Sequence, residues 1–236
     1  PAQAQEGQSD LDAAMDRKIT AESLQDLAEV AALCEKALEK GLAADDAVLA
    51  TQLLTGALHE RTSQLCRPVT LGVPIAGQEL KEVRVRAMPD LEKILKYNPK
   101  FGPAHLLIAQ LQALEGGDAQ QARKSVDLAI EYLADNPKKL ADALIVRSRL
   151  QSVPADVLAD LNRAVELDPD NPAVWQARAV HYLAQGDTEK AVSDLNNLVE
   201  KNSGNMLLRL LVADVLIKAD QRDEALRHIN RALEKE

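Results

Sequence analysis

Aromatic side chains are nearly missing from this sequence, with one Trp, one Phe and three Tyr making up 2% of 236 residues. Hydrophobic residues still reach 46%, so Ala, Leu and Val carry the apolar content, which suits closely packed helices better than a sheet. Long apolar runs are lacking too. The richest stretch, Met206 to Ile217, is interrupted by Arg209 and Asp214 and falls short of the ~20 residues that span a bilayer, which predicts a soluble chain without membrane insertion. Basic tracts are absent: 28 Lys and Arg are scattered among 37 Asp and Glu, for a net charge of -9, which argues against nucleic acid as a partner. Cysteine is limited to Cys34 and Cys66, too few for a disulfide framework. If residues 20–40 and 44–66 form antiparallel helices joined near Gly41, Cys66 lies about 25 Å along the axis from the residue facing Cys34, against ~6 Å between the Cα atoms of a disulfide. Two free thiols are expected.

The chain opens "PAQAQEG", without Met, and Ala2-Gln3-Ala4 fits the small-residue remnant of a signal-peptidase site. Export to a compartment such as the periplasm and a cytoplasmic location both stay open.

What the sequence does contain is a period. A small or β-branched residue recurs at Ala87, Ala122, Val157, Ala191 and Ala225, in steps of 35, 35, 34 and 34. A second series, Ile94, Ala129, Ala164, Leu198 and Ala232, keeps the same steps, and a third small residue falls at Ala109, Ser148, Ala179 and Ala213. Repeats of this length signal stacked supersecondary units. In the copy "WQARAVHYLAQGDTEKA", Ala179 and Ala191 let two helices approach, while Trp175, Tyr182 and Leu195 fill space between layers. Gly186-Asp187 ends one helix and caps the next, and Pro99, Pro103, Pro169 and Pro172 punctuate the turns between copies.

Trp175, Ala179, Tyr182, Gly186, Ala191, Leu195 and the "ELDPDNP" turn around Pro169 resemble the tetratricopeptide repeat, a helix-turn-helix unit of 34 residues. The resemblance covers about residues 86–236 and implies an all-α, right-handed superhelical solenoid of antiparallel helix pairs. Residues 1–19 are expected to be a flexible N-terminal tail, 20–66 a helical hairpin or cap, 67–85 an inserted loop with a short ordered piece, and 86–236 a repeat array continuous with 20–66. The insertion follows from the 31 residues between Gly56 and Ala87 where the best copies have 12.

Catalytic patterns do not assemble. The four histidines, His59, His105, His181 and His228, are dispersed one per repeat, with no HExxH or CxxC spacing, so neither a metal nor a cofactor is expected. Arrays of this kind hold peptides or partner helices on the surface lined by the first helix of each pair. The implied role is a noncatalytic protein-interaction scaffold, with Leu106, Gln110, Arg149, Gln176, Val180, Leu210 and Asp214 as groove residues. That mixture lacks the Lys, Asn and Arg clamp with which the family's cochaperone branch holds a C-terminal carboxylate. Two alternatives stand beside it: an accessory repeat region of a longer enzyme, and a module that self-associates.

Two further expectations are specific. Arg147 and Arg178 stand just before a first-helix small residue, where similar repeats place Leu, and the same two copies carry Asp160 and Asp194 in the second helix where the copies with Ile108 and Val212 have Ser125 and His228, which predicts two ion pairs across hairpins. The nearly all-apolar C-terminal helix is expected to leave Leu207, Leu210 and Ile217 open, for a homodimer through the C-terminal repeat or a hydrophobic partner.

Overall fold

A computed structural model describes residues 6–71, 73, 75–201, 206–218 and 220–234. Thirteen helices and no strand are found among the described residues: α1 Gln8–Ile19, α2 Leu24–Lys40, α3 Ala44–Leu65, α4 Arg67–Thr70, α5 Gly77–Tyr97, α6 Gly102–Gln112, α7 Ala119–Tyr132, α8 Pro137–Leu150, α9 Pro154–Leu167, α10 Pro172–Ala184, α11 Thr188–Lys201, α12 Met206–Lys218 and α13 Arg222–Leu233. Helices pack on their chain neighbours, α2 on both α1 and α3, α3 also on α5, α6 on α7, α8 on α9, α10 on α11, and α12 on α13. The architecture is all-α, in sequential antiparallel pairs.

Local chemistry sets the boundaries. Ser23 and Asp26 close a capping box at α2, each side chain accepting the other's backbone N–H, at 3.1 and 3.0 Å. Asp118 caps α7 and Asn136 and Asn171 cap α8 and α10, with Pro137 and Pro172 supplying the preset φ of a first helical turn. Gly186 takes φ 77, the left-handed turn that closes α10, and the Asp187 side chain then accepts from the Lys190 N–H at 3.2 Å.

Two compact units divide the chain, residues 1–133 and 134–236. In repeat proteins each layer touches only its neighbours, so compactness is a local property that a shared period does not extend. The first unit's core gathers Ala14, Leu27, Val30, Cys34, Leu54, Leu58, Leu91, Ile94 and Leu111, all essentially inaccessible. A cluster in the second unit joins Ala179, Leu195 and Leu198 to Val212, Leu216 and Ala225.

The expected tail over 1–19 is corrected for residues 8–19, which form α1 against α2. Leu11 and Ala14 are completely buried, and Asp10 accepts Lys36 and Lys40 at 2.8 and 2.6 Å, which holds its carboxyl below the usual range. Gly7 makes the approach feasible: a Cβ there would sit 2.2 Å from the Ala37 carbonyl oxygen. The inserted loop also shrinks. Residues 67–70 are the short ordered piece, α4, but α5 starts at Gly77, leaving 71–76 between helices, with Gly72 and Pro74 outside the described residues. Residues 77–85 are helical because Leu80 and Ala87 fall on the buried face of α5. Both thiols are free and buried, as expected from their spacing, and burial pushes each up to about 12.

Candidate functional site

In the second unit the first helix α10 is anchored on one side and open on the other. Trp175 donates its indole N–H to the Pro169 carbonyl at 2.8 Å, tying α10 to the turn that precedes it. His105 meets the Pro99 carbonyl at 2.8 Å from the same place in its own repeat, four residues before the small-residue marker. Arg178 is held by Asp194 through two hydrogen bonds of 2.8 and 2.7 Å and by Asn162 at 2.9 Å, with its guanidinium 5.3 Å from the Trp175 ring centre. With that face fixed, Gln176, Val180 and Leu183 form an exposed stripe at i, i+4 and i+7 on α10. Thirty-four residues on, Leu210, Asp214 and Ile217 repeat the stripe on α12, where Asp214 pairs with Lys218 at 2.6 Å. Met206 is exposed on the same helix, and the Leu207 side chain lies outside the described residues.

Of the seven residues expected on the groove, Arg149, Gln176, Val180, Leu210 and Asp214 are exposed on first helices of the second unit. Leu106 is not available: it is 4% exposed, because α3, α4, α5 and α7 all pack on α6. The ordered piece of the insertion is thus part of what surrounds α6. Gln110 is half-buried there, its Oε1 buried without a hydrogen-bond partner among the described residues.

Sequence reasoning missed a third charge pair. Arg61 on α3 hydrogen-bonds Asp90 on α5 while its Nε donates to the Leu24 carbonyl at 3.0 Å. Asp90 precedes Ile94 by four residues, as Asp160 precedes Ala164 and Asp194 precedes Leu198, and Arg61 stands just before the buried Thr62. The signal was legible but hidden by the insertion, which separates this Arg and Asp by 29 residues instead of 13 or 16.

The first unit holds an open cleft of about 760 Å³ between α5, α6 and α7, lined by Glu92, Leu95, His105, Ile108, Gln121 and Lys124. His105 turns one ring nitrogen to the Pro99 carbonyl, and no nucleophile, base and orienting group converge. No group of three or more His, Cys, Asp or Glu positioned to hold a metal occurs among the described residues, and none of their helices is long and apolar enough to cross a membrane.

Two sequence models of the tetratricopeptide repeat match residues 161–193 and 182–236, over the hairpins just described. Residues 161–236 match the tetratricopeptide repeat family. Members of this family are usually noncatalytic, and its domains generally mediate protein–protein interactions. The chain is 31% identical over 120 residues to DnaJ homolog subfamily C member 3 of Gallus gallus, covering 51% of this chain and 20% of that protein. With the Bos taurus protein of the same name it is 35% identical over 71 residues, 30% of this chain and 14% of the relative, so it spans a small fraction of these relatives. Among solved structures it is similar to MamA from Desulfovibrio magneticus RS-1, with a TM-score of 0.53 at 14% identity over 76% of this chain and 94% of that one. A monomeric mutant of IFIT1 with m7Gppp-AAAA gives a TM-score of 0.58 at 15% identity over 90% of this chain and 50% of that one. At such identities the likeness is one of fold.

Proposed function

We propose that the second unit is a noncatalytic scaffold that binds an apolar peptide or partner helix across the first-helix faces of α10 and α12. The observation that carries this reading is the pair of matching stripes, in which Val180 is 59% and Ile217 52% exposed although neither helix needs an apolar residue on the side away from its own hairpin. The anchoring of α10 by Trp175 and Arg178 supports it, since a rigid presenting helix lowers the ordering cost of binding. A photo-crosslinking side chain at Val180 should yield adducts with a discrete partner that are lost in Leu210→Glu while helicity is kept. Adducts undiminished in that variant would refute the reading. A second copy of the chain is the rival occupant of α12, and a concentration-dependent dimer dispersed by Leu210→Glu would replace the partner reading.

A further inference from the structure

We propose that the cleft between α5, α6 and α7 in the first unit receives a guanidinium group, that of an arginine in a partner peptide. The inference does not rest on the α10 and α12 stripes, which belong to the other unit. Its model is the Arg178 site, where one guanidinium on α10 is held by Asn162 of α9 at 2.9 Å and by Asp194 of α11 at 2.8 and 2.7 Å. The first unit repeats that frame. Glu92 on α5 stands 16 residues before Ile108 on α6, as Asn162 stands 16 before Arg178, and Ser125 on α7 precedes Ala129 by four, as Asp194 precedes Leu198. His105 has the place of Trp175. All four first-unit residues, Glu92, His105, Ile108 and Ser125, line the cleft, so where α10 carries a guanidinium α6 carries an aliphatic chain and the flanking polar groups border open space.

The lining fits the missing group. Ser125 is only 6% exposed, yet its hydroxyl hydrogen-bonds no described residue, an arrangement that costs free energy until an N–H reaches it. Glu92 has no ion-pair partner among the described residues. A guanidinium offers five N–H donors in one plane, enough for the carboxylate and the hydroxyl together, and its weak hydration lets it lie against Leu95, Ile108 and Leu128 of the walls. Lys124 opposes it, but Glu92 and Asp118 outnumber that ammonium. At about 760 Å³ the cleft falls in the size range of sites for ligands larger than one side chain, so apolar residues beside the arginine enter with it.

The test follows backbone amides of the isotope-labelled whole chain by NMR during titration with acetyl-Ala-Leu-Arg-Leu-Ala-amide, and with the same peptide carrying citrulline, the uncharged isostere, in place of arginine. Saturable shifts at Glu92, Ile108 and Ser125 are expected, with affinity about tenfold lower for the citrulline peptide and about tenfold lower in Glu92→Gln, a change at an exposed position. Leu210→Glu should leave the titration unchanged, which separates this site from the stripes of the second unit. Absence of shifts at these amides, equal affinity for the two peptides, or binding indifferent to Glu92→Gln overturns the proposal. Free arginine binding as tightly as the peptide would remove the peptide from it. Preference for a glutamate-containing peptide, lost in Lys124→Gln, would assign the cleft to an anion and overturn it as well.

Discussion

Arg178 and Asp194 meet across the α10–α11 hairpin as a two-pronged ion pair, with Nε 2.8 Å from one carboxylate oxygen and Nη2 2.7 Å from the other. Arg147 and Asp160 repeat the geometry across α8–α9 at 2.8 and 2.6 Å. Both carboxylates are buried, so neither pair is an ordinary surface salt bridge. Removing one partner of a buried pair strands a charge, which costs on the order of 3 kcal/mol, whereas replacing both by apolar residues of similar volume is often neutral. Asp194→Ala is expected to cost about that much, and Arg178→Leu with Asp194→Leu far less. Asp160→Ala should cost less than Asp194→Ala, because the Arg147 side chain is 32% exposed against 17% for Arg178. Urea denaturation of the single and double variants supplies the cycle; additive losses at Arg178 and Asp194 would refute the coupling.

The carboxylates should titrate in opposite directions. Burial pushes Asp90 up in spite of the adjacent Arg61, while hydrogen bonds from Lys36 and Lys40 hold Asp10 down and backbone N–H groups of Glu22 and Ser23 hold Asp26 down, all relative to 3.8. Stability contributed by Asp10 and Asp26 is present above that value and lost as pH falls through their folded values. For Asp90 the folded state retains the proton longer than the unfolded one, so stability declines as pH rises from about 3.8 through its folded value. Carboxyl-carbon NMR titration checks all three, and an Asp90 midpoint below those of Asp10 and Asp26 would contradict the assignment.

His228 makes the C-terminal hairpin sensitive to mild acid. It occupies the repeat position of Asp160 and Asp194, it is buried, and its Nδ1 has no hydrogen-bond partner among the described residues. Burial lowers its pKa from the ordinary 6.5, and Arg209 on α12 and Arg231 and Arg227 on α13 lower it further, against the opposing pull of Glu224. The unfolded chain therefore binds the proton more readily, so stability is full above about pH 6.5 and declines as pH falls below it. The melting temperature should drop between pH 7 and pH 5 by less in His228→Leu than in the parent chain. Identical pH dependence in the two would exclude the effect.

Cys34 and Cys66 should be inert in the native chain. Both thiols are buried with pKa pushed up to about 12, which leaves almost no thiolate at neutral pH. A colorimetric thiol reagent should detect neither in the folded protein and both in urea. Rapid reaction of either before unfolding would show that this part of the core opens.

Arg147 with Asp160 and Arg178 with Asp194 were legible in the sequence because paired substitutions at fixed repeat positions are visible inside one chain. Arg61 with Asp90 obeys the same register but was obscured once the insertion broke the count. Helix α1 was hidden for another reason. Leu11 and Ala14 are few among polar residues, and their burial against α2, with Asp10 reaching Lys36 and Lys40, is a contact between segments that no local pattern announces. Leu106 fails as a groove residue on similar grounds: its register is that of Gln176 and Leu210, and only the packing of α4 and its neighbours around α6 covers it.

By itself the sequence determined the helical period, the capped boundaries of the hairpins, the all-α class and the pairing of two arginines with two aspartates, because each depends on residues within one or two neighbouring repeats. Tertiary structure decided which first-helix faces stay open and where the chain divides into compact units. Period and propensity act over one turn or one hairpin, whereas exposure depends on whatever distant segment packs against a face, and identical repeat positions do not encode that neighbour.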